Sequence, residues 1–127
     1  MMRKVKKMFN IFGFRKPLSR EAFEAYYDRL PSHIEVSWFR DDGYIIGNVV
    51  AGENQFMTQG KNASDFIEMV NDAVVAVNRI PKDYFDVVKE AHTYNPPVEQ
   101  IKLLEDNSVK KAIISLVKNR EVLETVK

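Results

Sequence analysis

The chain has 127 residues, no cysteine and two histidines, His33 and His92. The first absence excludes a disulfide framework and thiolate chemistry, and two imidazoles supply a nitrogen-rich metal site poorly. A reducing cytoplasm is the compartment this composition implies. Long apolar runs are missing too. Ala73-Val74-Val75-Ala76-Val77 falls far short of the roughly 20 residues that cross a bilayer. The opening stretch, MMRKVKKMFNIFGFRKP, is basic but has neither an apolar core of signal-peptide length nor a small-residue cleavage site. The five glycines are dispersed, so no phosphate-cradling loop is evident. What remains is an ordinary globular composition, 45% hydrophobic and 29% charged, long enough for one core.

The net charge of +1 hides a division along the chain. Residues 1–20 carry seven Lys and Arg and no acid, residues 21–106 carry seven bases against sixteen acids, and residues 107–127 carry five against two. Charges act locally because salt screens them beyond roughly 10 Å. A negative body between positive ends therefore suits a basic protein partner in the middle and a polyanion at an end.

Secondary structure follows from spacing. Pro17 disfavours helix before it and Ser19 can cap one after it; Glu21 then sits in the positive first turn, and Phe23, Tyr26, Tyr27 and Leu30 recur at helical intervals up to Pro31. Ile34, Val36 and Trp38 alternate with Glu35 and Ser37, which predicts a strand. Asp41-Asp42-Gly43 turns the chain into a second strand over 44–50, and Gly52-Glu53-Asn54 turns it into a third over 55–59. Asn62 is placed to cap a helix over 63–79, with Asp65 answering the cap and Phe66, Ile67, Val70, Ala73, Val74 and Val77 as its apolar stripe. Pro81 opens a shorter helix to His92. Val98 to Leu104 permits strand or helix, and strand is favoured. Ser108 is placed to cap a last helix from Val109 to about Val126, whose face could dimerise. The expected architecture is one α+β domain over residues 18–127 behind a basic arm over 1–17. It has a small antiparallel sheet of three or four strands, a long helix on one face, and extra N- and C-terminal helices.

Asp42-Gly43-Tyr44, Phe56-Met57-Thr58-Gln59-Gly60, Ser64-Asp65-Phe66-Ile67-Glu68 and Asn71-Asp72-Ala73 follow one another in an order that resembles the core of HicB-type antitoxins. The likeness covers roughly residues 41–80 within a core over 33–80. It departs from the family pattern in the short loop Ala51-Gly52-Glu53-Asn54 and in Phe66, which stands where the family often has alanine. The resemblance implies a partial RNase H-like β-β-β-α-β unit without nuclease chemistry, which binds and masks a small basic RNA-cleaving toxin of the HicA type. The family usually carries a DNA-binding segment at its C-terminal end, and no helix-turn-helix or ribbon-helix-helix pattern follows Pro97.

The candidate sites are surfaces. Asp65, Glu68 and Asp72 stand at i, i+3 and i+7 and share a helix face, and with Asp41 and Asp42 they form the expected surface for a basic protein. Such a face could also hold metal or, more commonly, be merely solvated; no catalytic residue, metal ligand or cofactor is assigned. The alternative class is an orphan nucleic-acid or membrane-surface binder using Arg3, Lys4, Lys6, Lys7, Arg15 and Lys16, with Phe9, Phe12 and Phe14 interleaved for stacking or interfacial insertion. The same stretch could instead be a tail, or pack Met8, Phe9, Ile11 and Phe12 against Tyr26 and Tyr27. A homo-oligomer fits either class.

Overall fold

The computed structural model describes residues 18–119. The expected basic arm and the residues after Asn119 lie outside that range. Four helices and five strands follow in the order α1 (Arg20–Arg29), β1 (His33–Asp41), β2 (Tyr44–Ala51), β3 (Asn54–Gly60), α2 (Ala63–Val77), α3 (Lys82–Glu90), β4 (Tyr94–Asn95), α4 (Val98–Glu105) and β5 (Lys111–Lys118). The strands form one antiparallel sheet in the order β3-β2-β1-β5-β4. The architecture is α+β, with five strands rather than three or four.

The three leading strands form where residues alternate between core and solvent. Ile34, Val36 and Trp38 of β1 are buried while Glu35, Ser37 and Phe39 face out. Asp42 and Gly43 both have positive φ, +54° and +84°, the conformation of a tight two-residue hairpin whose twist matches its strands. Gly52, at φ +63°, makes the next turn. The Ser19 side chain accepts the Ala22 N–H at 3.2 Å, and the Asn62 side chain accepts the Asp65 N–H at 2.8 Å, so both expected caps form.

The long helix α2 lies over β3 and β2, and two glycines set how close it comes. A Cβ on Gly47 would stand 2.5 Å from the Phe66 ring, and one on Gly60 would stand 2.4 Å from the Phe66 Cα. The φ of Gly60 is not positive, and its role is to admit the helix backbone. On α2 the buried residues are Ala63, Phe66, Val70, Val74 and Val75, while Ala73 is only half-buried on the flank.

Two expectations at the C-terminal end are overturned. Residues 98–105 are helical, with Leu104 buried and Ile101 half-buried at the i, i+3 spacing that had left helix open. Residues 111–118 are a strand, not part of a helix from Val109 to Val126; β5 pairs with β1 along its length, from His33 opposite Val117 to Phe39 opposite Lys111. Its buried residues Ile114, Leu116 and Lys118 alternate, as a strand requires. β-branched Ile113, Ile114 and Val117 favour that state. Two helices and the short β4 thus separate α2 from the strand beside β1.

All four helices contribute to the core on one sheet face, through Phe23 and Tyr27 of α1, Val70 of α2, Val88 of α3 and Leu104 of α4. The opposite face carries Phe39, Val50, Met57, Ile113 and Val117 into solvent. No helix among the described residues is long and apolar enough to cross a membrane.

Candidate functional site

Of the expected acids, Asp41 and Asp42 stand at the β1–β2 turn, where it approaches the start of α2. Asp41 and Asp42 line a depression of about 640 Å³ together with Lys61, Asn62, Ala63 and Lys110. From there α2 runs with Asp65, Glu68 and Asp72 on its outer crest, away from buried Phe66, Val70 and Val74.

Each acid on that crest has a local task. One Asp65 carboxylate oxygen accepts the Lys61 N–H at 2.9 Å, so this side chain holds the turn that enters the helix. Glu68 and Asp72 share Lys89 of α3, whose Nζ stands 3.2 Å from one and 2.9 Å from the other. Burial alone would lower the Lys89 pKa; hydrogen bonds and charge from Asp72 and Glu68 outweigh it and raise the pKa above its ordinary value. Asp41 and Asp42 are exposed at the hairpin, and the Glu68 side chain is 61% exposed despite its ion pair. The crest is therefore partly neutralised from within, and Asp41, Asp42 and Glu68 are its most available charges.

Beside Lys89, a depression of about 380 Å³ is lined by Ser64, Ile67, Glu68, Asn71, His92 and Tyr94. Asn71 bridges its wall, its amide nitrogen donating to the Ile67 carbonyl at 3.0 Å and the Tyr94 carbonyl of β4 at 3.1 Å. Tyr94 donates its hydroxyl to the Pro31 carbonyl, and burial, then the neighbouring Tyr27, pushes its pKa up. His92 is exposed with φ +53° just after α3, and His33 is exposed at the start of β1. Among the described residues no group of three or more His, Asp or Glu stands where it could hold a metal ion.

Two cations that sequence reasoning passed over organise this fold. Arg40, at the end of β1, donates to the carbonyls of Leu103, Leu104 and Asp106 at 3.1, 2.7 and 2.8 Å and of Val109 at 2.6 Å, closing the end of α4. It also lies 5.1 Å from the Trp38 ring centre. Next to it, hydrogen bonds from the Ser108 hydroxyl and N–H hold the Asp106 carboxyl below its ordinary pKa. Lys118 is buried and donates to the carbonyls of Tyr27 and Leu30 at 3.0 Å each, at the end of α1. A cation at a helix C-terminus answers its unpaired carbonyls. The signal was the alternation that puts Lys118 on the buried side of β5, hidden once that segment was read as helix.

The proposed nucleic-acid residues Arg3, Lys4, Lys6, Lys7, Phe9, Phe12, Arg15 and Lys16 lie outside the described residues. Comparison of the chain with family models, with curated proteins and with solved structures finds no match.

Proposed function

We propose that this chain is a non-catalytic protein-binding module of the HicB-like antitoxin kind, which captures and masks a small basic ribonuclease of the HicA kind in the cytoplasm. What supports it is the placement of Asp41 and Asp42 at the hairpin beside the start of α2, in a depression shared with Lys61 and Lys110, and of Asp65, Glu68 and Asp72 on one face of that helix. A partner's lysines and arginines would meet Asp41, Asp42 and Glu68 first, because these are exposed. Lys89 would then exchange its share of Glu68 and Asp72 with the arriving cations. Charge of this kind acts on the association rate more than on final affinity, so capture should weaken steeply with salt.

The test is co-expression with a basic HicA-type ribonuclease. Reversing Asp65, Glu68 and Asp72 would disturb the helix entry and the α2–α3 tie, so the informative variant is Asp41→Lys with Asp42→Asn, which touches neither and keeps a residue that tolerates positive φ at the turn. Its folding is checked by circular dichroism. The wild type should restore growth and the variant should not. Equal rescue by both would remove the hairpin acids, which are exposed, from the interaction.

A further inference from the structure

We propose that two copies of this chain join edge to edge through β3, antiparallel about a two-fold axis at Met57, to make one continuous ten-stranded sheet. Among the described residues β3 ends the sheet, and its sole strand neighbour there is β2. Every second residue of such an edge strand turns its N–H and C=O away from the sheet, which makes it a template for another strand. Proteins usually blunt such edges with lysine, proline, a bulge or a covering segment. Asn54–Gly60, NQFMTQG, contains no charged residue and no proline across seven residues.

The flanks of the strand are self-complementary. With Met57 on the axis, Asn54 faces Gly60 of the second copy, Gln55 faces Gln59 and Phe56 faces Thr58. One step further out Glu53 faces Lys61. Both are exposed, so the symmetric pairing brings two opposite-charge pairs together and no like-charge pair. A pairing slipped by two residues loses these contacts and the symmetry of the glutamines.

The helix above the strand agrees. Asn71 reaches from α2 towards β4, at the far edge of the sheet, so the opposite flank of α2 faces the β3 side. That flank carries Met69, Ala73 and Ala76, one exposed methionine and two small residues. Two α2 helices brought together over joined β3 strands would meet through apolar and small side chains, while Asp65, Glu68 and Asp72 stay on the outer crest. This pairing stands apart from the capture of a basic ribonuclease, and no such partner enters its test.

The chain's lack of cysteine makes the test clean. Directly facing residues of an antiparallel pair have Cα atoms about 4.5–5.5 Å apart, within disulfide range. Met57→Cys in the full chain should therefore cross-link to its own copy under mild oxidation. Gln55→Cys should not, because its counterpart lies about four residues away along the strand, roughly 13 Å. Sedimentation equilibrium should show a dimer for the wild type. Met57→Lys, at a site 61% exposed and so neutral to the fold, should weaken it at least tenfold. Glu53→Lys and Lys61→Glu should each weaken the dimer, and the two together should restore it. A monomeric wild type, equal cross-linking at 55 and 57, or no recovery in the double swap would overturn the proposal. A dimer broken instead by changes at Phe39 and Ile113 on the open sheet face would overturn it as well, as would a monomer that binds an unrelated extended peptide along β3.

Discussion

At one end of the sheet, β5 gives its Ser115 N–H to the Gln100 side chain of α4 at 2.9 Å and pairs Val117 and Lys118 with β4. At the other end, β3 presents seven uncharged residues and, among the described residues, has β2 on one side only. The closed edge is built late in the chain, by two prolines, a short helix and Arg40, which reaches across from β1 to fasten the end of that helix. The open edge is built locally, by two tight turns and a glycine that lets α2 settle on it. One sheet thus has an edge that has been finished and an edge that has been left available, and the two should respond differently to substitution.

The largest effect is expected where the open edge meets its helix. Gly60→Ala would put a methyl group 2.4 Å from the Phe66 Cα and 2.5 Å from its backbone nitrogen. Backbone cannot swing aside, so the cost should reach about 3 kcal/mol, the top of the usual range for overpacking. Gly47→Ala meets the tip of the Phe66 ring instead, at 2.5 Å. Adding Phe66→Leu should recover much of the loss at Gly47 and almost none at Gly60. Urea midpoints of the four variants check this. Equal recovery would mean that β3 and α2 are held by the ring rather than by backbone approach.

The same contrast decides what could be read in advance. The open-edge half was legible because each element had one clean signal, namely alternation in β1, Asp42-Gly43 and Gly52 in the turns, and Asn62 at the start of α2. The closed-edge half was not, and β5 shows why. Ile113 and Val117 are apolar yet 61% and 58% exposed, so β5 is apolar on both faces and its alternation disappears. With Val109, Ala112 and Leu116 the same residues fit helical spacing. Asp65, Glu68 and Asp72 share one face of α2, as their spacing predicts. The tie of Glu68 and Asp72 to Lys89 was not visible, because a partner some twenty residues away leaves no local pattern. Arg40 and Lys118 are the stronger case, as both work on carbonyls more than sixty residues away.

The next effect belongs to the closed edge. Arg40→Met keeps the apolar stem but removes the guanidinium that lies over Trp38 and donates to Leu103, Leu104, Asp106 and Val109. Charged hydrogen bonds of this kind contribute roughly 1.5–3 kcal/mol each but overlap, so a loss of about 2 kcal/mol is expected. The amides of β5 should lose protection from exchange before those of β2. A uniform loss across the sheet would show that Arg40 stabilises the whole fold and not its closed edge.

Gln100→Ala is smaller again. It leaves the Ser115 N–H without its acceptor, at a part-buried site, at a cost of about 1 kcal/mol. Ser115 should exchange faster while its neighbours on β1 hardly change. If the finished edge prevents strand addition, this variant should also self-associate more readily than the wild type at high concentration. Unaltered exchange at Ser115 would remove Gln100 from the description of that edge.

The smallest effect separates the edges by pH. Lys89 ties α2, and with it the open edge, to α3 by charge, whereas Gln100 closes the other edge with a neutral amide. The Lys89 pKa is raised in the fold, so its contribution is fully present below the unfolded value of about 10.5 and is lost as pH rises through the higher folded value. Glu68 is well exposed, and the pair is worth only about 0.5 kcal/mol after solvent screening. The stability difference between wild type and Lys89→Met should therefore be flat up to about pH 10.5 and shrink above it. The Tyr94 hydroxyl beside the closed edge keeps its proton through that range, since its pKa is raised as well. Ser115 protection, corrected for intrinsic exchange, should accordingly hold where α2 loosens. If both regions lost protection together between pH 10 and 11, the charge tie and the amide closure would belong to one cooperative unit, and the difference between the edges would lie in their surfaces alone.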